Sequence, residues 1–395
     1  MFALIKKKLA LISIIGFLLL AFGLGVWFGK SQVVYPILPP GEVDFSLFWE
    51  TWAKLQEKYV DKEKFDTQKM IYGAISGMVK SLDDPYTVFM EPEVNKIFTE
   101  DVKGSFEGIG MEIGIKKDQL QVIAPLEGTP AQKAGLKAGD KILKINDKST
   151  VDMTVEEAVK IIRGQKGTEV VLSIFRDGWK EAKDFKIVRD VIFVPSLKWE
   201  LKEGNIAYLQ LYQFSEQADF DFKKAAVEIL DSKADRIILD LRNNPGGYLE
   251  VSQNIASWFL EKDKIVTIED FGKNKEQKFY KAQGNEKLLA YPIVILMNKG
   301  SASASEILAG ALRDNRDIKL IGETSFGKGS VQEMEKLRGG SSLKVTVAKW
   351  LTPKGYSISE KGLEPDIKVE ITAEDEKAEK DSQLEKAIEI VKGMR

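Results

Sequence analysis

The hydrophobic pattern begins with a run that has no polar side. Lys6, Lys7 and Lys8 precede Leu9 to Gly29, a stretch of 21 residues without a charge. As a helix it extends about 31 Å, near the hydrocarbon thickness of a bilayer. The lysines favour the cytoplasmic side, so the pattern predicts a single-pass anchor in a bacterial-type cell membrane, with everything after Lys30 extracytoplasmic. A cleaved signal peptide is the rival, but its apolar core is usually about 7–15 residues, shorter than this run. Pro36, Pro39, Pro40 and Gly41 follow as a stiff, non-helical spacer. Phe45, Phe48, Trp49, Trp52, Leu55 and Tyr59 then recur at helical spacing and read as helix-packing or homodimer residues. A second helix is predicted from Gln68 to Ser81, ended by Asp84-Pro85.

From about Asp101 to Asp190 the period shortens. Gly108-Ile109-Gly110-Met111-Glu112-Ile113 reads as a loop entering a strand. Leu120 to Ile123, Lys141 to Ile145 and Val170 to Phe175 read as further strands, and Thr154 to Ile162 as an amphipathic helix. From about Val191 short apolar runs alternate with helical segments. The strands are Ile206 to Leu211, Arg236 to Asp240, Ile265 to Ile268, Ile293 to Met297 and Ile318 to Ile321; the helices are Leu249 to Leu260 and Ala304 to Arg313. That alternation predicts an α/β layered core. The resulting division is 1–30 lysines and anchor, 31–42 linker, 43–100 helical region, 101–190 short-strand domain, 191–372 core and 373–395 charged tail. Leu384, Ala387, Ile388 and Ile390 predict one amphipathic helix in that tail.

Composition changes the picture by exclusion. Among 395 residues, 44% are hydrophobic and 30% charged, enough for a real core. A net charge of −2 gives no basic field for nucleic acid. The chain has no histidine and no cysteine. Disulfides, thiolate chemistry, His-ligated metal sites and a Ser-His-Asp triad are therefore excluded, and no cofactor is implied. A serine nucleophile here needs another base, for which lysine is the usual substitute.

Ser303 lies in Gly300-Ser301-Ala302-Ser303-Ala304-Ser305-Glu306, between a buried-type strand and a helix. A helix N-terminus offers unpaired N–H groups to a developing oxyanion, and it equally suits an ordinary N-capping serine. Lys328 sits between Gly327 and Gly329. In an extended segment it shares a face with Ser330 and Gln332, so Gln332 is placed to orient its amine. A phosphate-binding lysine is the weaker reading, because the rest of a Walker loop is missing. Asp240 to Gly247 ends in Pro245-Gly246-Gly247, which serves either as a tight turn or as an oxyanion donor beside the Ala304 amide.

The segment Thr129 to Asp140 resembles a PDZ domain in its Thr-Pro-Ala-x-x-Ala-Gly-Leu-x-x-Gly-Asp pattern. The chain as a whole resembles the carboxy-terminal processing, or tail-specific, proteases. The likeness is carried in order by Leu82-Asp83-Asp84-Pro85-Tyr86-Thr87, the PDZ segment, Asp240 to Gly247, Gly300 to Glu306, Gly322 to Gln332, Thr352-Pro353-x-Gly355 and Gly362-Leu363-x-Pro365-Asp366. The resemblance implies a crotonase- or Clp-protease-like layered core with an inserted PDZ domain. It implies Ser303 as nucleophile, Lys328 as general base and Gln332 as its support. It also implies oxyanion donors on Gly246 or Gly247 and on Ala304. It implies that Gly108, Ile109, Gly110, Met111 and Ile113 hold a protein or peptide with a free C-terminus, and that Arg163 couples the PDZ domain to the catalytic site. Natural substrate and any activating protein partner stay unnamed. The competing classes are an inactive tethered PDZ scaffold and an acyl-CoA enzyme of the same core fold.

Overall fold

The computed structural model describes residues 43–116, 119–126 and 128–394. The expected anchor and the whole of the spacer lie outside the described residues; among the described residues no helix is long and apolar enough to cross a membrane. The chain forms two compact units, one ending at Met70 and the other running from Ile71. In the first, helix α1 (Ser46–Lys58) buries none of its residues. Its aromatics meet one another instead, with ring centroids 5.0 Å apart for Phe48 and Trp49 and 6.1 Å for Trp52 and Phe65. Helix α2 (Thr67–Lys80) leads into the second unit, within one residue of the predicted span.

After α2 come strand β1 (Val88–Met90) and helix α3 (Pro92–Lys103). Proline opens α3, where its missing N–H costs nothing, and left-handed Gly104 closes it. The sequence pattern had no counterpart for α3. Strand β2 (Ser105–Gly108) then enters a small domain of β3 (Met111–Lys116), β4 (Gln119–Pro125), α4 (Pro130–Lys133), β5 (Lys141–Ile145), β6 (Lys148–Ser149), α5 (Val155–Ile162), β7 (Glu169–Phe175) and β8 (Lys183–Val188). The sheet order is β3-β4-β5-β7-β8, with β6 on β5. A separate apolar core centres on Ile109, Leu120, Ile142, Ile145, Leu172 and Ile174. Thr154 starts α5 with a capping box: its hydroxyl accepts from the Glu157 amide at 3.2 Å, and the Glu157 carboxylate accepts from the Thr154 amide at 2.9 Å. Strand β9 (Asp190–Phe193) leaves the domain antiparallel to β2, so the way in and the way out form a two-stranded neck.

The remaining chain builds two sheets. It runs through β10 (Leu197–Lys202), β11 (Ile206–Leu211), α6 (Ala218–Leu230), β12 (Arg236–Asp240), α7 (Leu249–Ala256), β13 (Ile265–Asp270) and β14 (Lys278–Lys281). It continues with β15 (Ile293–Met297), α8 (Ala304–Arg316), β16 (Lys319–Gly322), β17 (Ser330–Lys336), β18 (Ser342–Leu351), β19 (Ile367–Lys368), α9 (Ala373–Lys377) and α10 (Ser382–Gly393). One sheet, in the order β10-β11-β12-β15-β16-β19, is parallel except for β10. The other is antiparallel, in the order β1-β18-β13-β14 with β17 also on β18. Strand β13, which the alternation placed with the parallel strands, therefore belongs to the second sheet. Helices α6, α7 and α8 cover one face of the parallel sheet; α10 covers the other, burying Ala387 and Val391 against Ile206, Ile238, Val294 and Ile321.

The charged tail is thus part of the core. Its N-cap, Asp381, is held by Arg242 at 2.8 Å. Arg242 also donates to the fully buried Asp240 at 2.7 Å, and the Tyr208 hydroxyl donates to Asp240 at 2.6 Å. This cluster fixes the end of β12, from which the Pro-Gly-Gly turn departs.

Candidate active site

All five residues of β15 are buried, so the strand directs the following loop with little freedom. Asn298 accepts from the amides of Gly300 and Asn243 through its Oδ1, at 3.0 and 2.9 Å. The Ser301 hydroxyl donates to the Leu241 carbonyl at 2.8 Å. The Ala302 amide and the Ser305 hydroxyl both donate to the Asn244 carbonyl at 3.0 Å. These bonds lace the serine loop to the loop after Asp240. Between them Ser303 sits half-buried at the start of α8, with φ 56° and ψ −115°. A non-glycine residue rarely adopts that backbone, and such strain is characteristic of reactive positions held by their surroundings.

Glu306 is the residue that sequence reasoning left without a role. It is fully buried and accepts four hydrogen bonds. One carboxylate oxygen takes the Ser303 amide at 2.8 Å and the Lys328 amide at 3.0 Å. The other takes the Ser325 hydroxyl at 2.5 Å and the Gly327 amide at 2.7 Å. One side chain therefore ties the backbone of the candidate nucleophile to that of the candidate base. Burial pushes its carboxyl above the ordinary glutamate value, while Ser325 and the three amides pull it back. With both oxygens occupied by donors, the arrangement accommodates the carboxylate and leaves no acceptor for a carboxyl proton. The Ser-x-x-Glu spacing of a capping box was the available signal.

The expected choice between two glycines is decided against Gly246. Its amide donates to Asn244 Oδ1 at 2.9 Å and is not free for an oxyanion. Gly246 instead brings backbone against the serine: a Cβ there would lie 2.8 Å from Ser303 Cβ and 3.0 Å from the Ala304 nitrogen, at φ +100°. Among the described residues the amides of Gly247 and Ala304 have no backbone or side-chain acceptor outside regular structure.

Lys328 is half-buried. Burial pushes its amine below the ordinary lysine value, Lys344 adds to that, and Glu306 opposes it. Its amine makes no hydrogen bond to Ser303 Oγ; it lies 5.7 Å from the centre of the Tyr86 ring. Gln332 does not support the lysine as expected. Its amide nitrogen donates to Ser330 Oγ at 2.6 Å and to Thr346 Oγ1 at 3.5 Å. The shared face of Ser330 and Gln332 exists, but the bond runs between those two.

In the small domain, Gly110 is left-handed at φ +76°, and a Cβ there would fall 2.5 Å from Thr129. The Ile109 carbonyl accepts from Ala131 and the Gly110 carbonyl from Leu126, while their own amides stay unengaged. Gly108 ends β2, and Met111 and Ile113 lie on β3, an edge strand with one free side. Arg163 is the C-cap residue of α5. Its guanidinium stacks 4.3 Å from the Phe106 ring and lies 3.4 Å from Glu100 and Asp101 on α3.

Comparison with known proteins fits this arrangement. Residues 205–369 match the model of peptidase family S41, residues 97–175 that of the PDZ domain, and residues 43–94 the activating protease CtpB N-terminal domain. The carboxy-terminal processing protease CtpA of Bacillus subtilis (strain 168) is 40% identical over 331 residues, covering 84% of this chain and 70% of the relative. Its carboxy-terminal processing protease CtpB is 39% identical over 325 residues, covering 81% and 66%. Among solved structures, the photosystem II D1 C-terminal processing protease is 29% identical, covers 83% of this chain and 89% of its own, and superposes with a TM-score of 0.49.

Proposed function

The chain belongs to the carboxy-terminal processing proteases, serine-type peptidases of family S41 with a PDZ domain, and from that premise we propose a membrane-anchored endopeptidase of Ser-Lys type that cuts proteins near their C-termini. The observation that carries the proposal is the Glu306 bridge, which holds the backbone of Ser303 and of Lys328 on one carboxylate. In the reaction, neutral Lys328 accepts the Ser303 proton as Oγ attacks the peptide carbonyl. The oxyanion forms between the amides of Gly247 and Ala304. Lys328 returns the proton to the leaving amine, and water then hydrolyses the acyl-enzyme with the same base. A lysine of ordinary pKa is charged at pH 7 and cannot start this sequence, so the desolvation of Lys328 serves the chemistry. The Lys328 amine moves toward Ser303 before attack, and Gln332 receives it in that state.

The PDZ domain selects the tail. A substrate carboxylate binds the amides of Ile109 and Gly110, and the preceding residues add a strand to the free edge of β3, beside α5. Arg163, at the end of α5, reports that occupancy through α3. The exposed aromatics of α1 form a homodimer contact or receive an activating partner. The N-terminal run holds the molecule to the membrane with its catalytic part outside.

The test is digestion of a soluble protein with a free C-terminus, read by mass spectrometry. The full chain is expected to release C-terminal fragments. Ser303→Ala is expected to release none, and amidation of the substrate C-terminus to slow cleavage at least tenfold. Equal cleavage by Ser303→Ala would overturn the assignment.

A further inference from the structure

The turn Asp84 to Thr87 is built more firmly than a connection requires. Asp84 accepts from the Tyr86 amide at 3.0 Å and from the Thr87 hydroxyl at 2.6 Å. The Thr87 hydroxyl in turn accepts from the Thr346 amide of β18 at 3.0 Å. β1 continues the attachment, pairing Val88 with Lys344. The turn is thereby fixed to the sheet that carries Gln332, and its one large side chain, Tyr86, is aimed at the Lys328 amine. The distance of 5.7 Å to the ring centre is within cation–π range. Among the described residues Lys328 Nζ has no carboxylate within ion-pair distance and no hydrogen-bond acceptor, so the ring is the group that receives it.

The ring stays neutral under working conditions. Burial pushes the Tyr86 phenol above its ordinary value, and the carboxylates of Glu306, Asp84 and Glu360 push it the same way. A neutral ring attracts an ammonium and has no comparable hold on an amine. The other charged groups facing Lys328 are Glu306 of α8, which favours the ammonium, and Lys344 of β18, which disfavours it.

We propose that Tyr86 is a positioning residue that parks the Lys328 ammonium on its ring, apart from Ser303, and so sets the fraction of molecules with a competent base. The inference rests on the Ser-Lys reading above. In this account the turn is a resting latch, and activation consists of withdrawing the ring from the lysine.

The experiment is the pH profile of kcat/KM for the full-length protein on a peptide with a free C-terminus. Removal of the ring by Tyr86→Leu is expected to move the ascending limb to lower pH. Cleavage at pH 7 should rise roughly two- to thirtyfold, the factor that corresponds to a cation–π contact between exposed and desolvated settings. Tyr86→Phe keeps the ring and is expected to shift the limb less than Tyr86→Leu. The protonation of Lys328 is also read directly, by the pH dependence of its labelling with an amine-reactive reagent in Ser303→Ala, with and without Tyr86→Leu. Should Tyr86→Leu fail to fold, Tyr86→Met carries the same test. A limb that stays in place or moves up, or Phe and Leu variants that shift equally, would overturn the latch. Cleavage by Lys328→Ala would instead overturn the Ser-Lys reading beneath it.

Discussion

Replacing Glu306 by Gln changes one atom type at the centre of the site. The carboxylate presents two oxygens to four donors: the amides of Ser303, Gly327 and Lys328 and the hydroxyl of Ser325. The Gln amide presents one oxygen and one NH2. In one orientation the NH2 faces the Ser303 and Lys328 amides; in the other it faces Gly327 and Ser325. Either way two bonds to a charged acceptor are lost and donors are set against donors. Each such bond contributes about 1.5–3 kcal/mol, so the gross loss is about 3–6 kcal/mol. Part is recovered, since a neutral amide is cheaper to bury than a carboxylate and Ser325 can rotate its hydroxyl. A net destabilisation of about 2–4 kcal/mol remains. Function should fall further, because the same bonds set the Ser303 and Lys328 backbones, and a misplacement of about 1 Å can cost about 10²-fold in rate. The assay pairs urea unfolding with kcat/KM on a tail peptide, measured at a denaturant-free temperature where the variant is folded. Glu306→Gln with parental kcat/KM and an unchanged unfolding midpoint would refute the bridging role.

Three further expectations follow from the same contacts. Lys328→Met should raise stability at pH 7, because the native state holds this amine below its unfolded pKa. The native state binds fewer protons than the unfolded chain between the lowered value and about 10.4, so the parent gains stability through that window and the gap to Lys328→Met closes as pH rises, as thermal scans can show. Arg242→Met should cost about 3–5 kcal/mol in urea unfolding, since it strands the buried Asp240 and releases Asp381 from the start of α10. Gly110→Ala should weaken binding of a free-carboxylate peptide to the PDZ domain by at least tenfold in titration calorimetry, because its Cβ collides with Thr129 at a positive φ.

Where the chain repeats an apolar period beside a turn signal, the fold was legible. Lys141–Ile145, Ile206–Leu211 and Ile293–Met297 stand at their expected bounds, and Thr154 marks the start of α5 through its capping box. The missed elements lacked such contrast. Helix α3 has no fully buried residue, and α6 carries Phe220 and Val227 on its exposed side, which blurs its face. Strand β13 reads like its parallel neighbours because burial on both faces erases alternation; of its two antiparallel partners β14 is adjacent in sequence, but β18, which ties it to the second sheet, is some 80 residues away, a separation no local pattern encodes. In the site, residue types and order pointed to Ser303 and Lys328. They did not reveal that Asn244 occupies the Gly246 amide or that Gln332 turns to Ser330. Both depend on which rotamer a side chain adopts once distant loops meet. Glu306 and Tyr86 sat in plain view within the quoted motifs, but apart from Ser303 their partners lie 19 to 242 residues away.

In the proposed mechanism Lys328 is the base for Ser303. The most direct test of that role is kcat/KM of the purified full-length protein and of Lys328→Ala between pH 6 and pH 10 on one tail peptide, with refolded structure checked by circular dichroism. The parent is expected to show an ascending limb below the ordinary lysine pKa, and Lys328→Ala no detectable cleavage at any pH. Cleavage by folded Lys328→Ala along the parental limb would contradict that role.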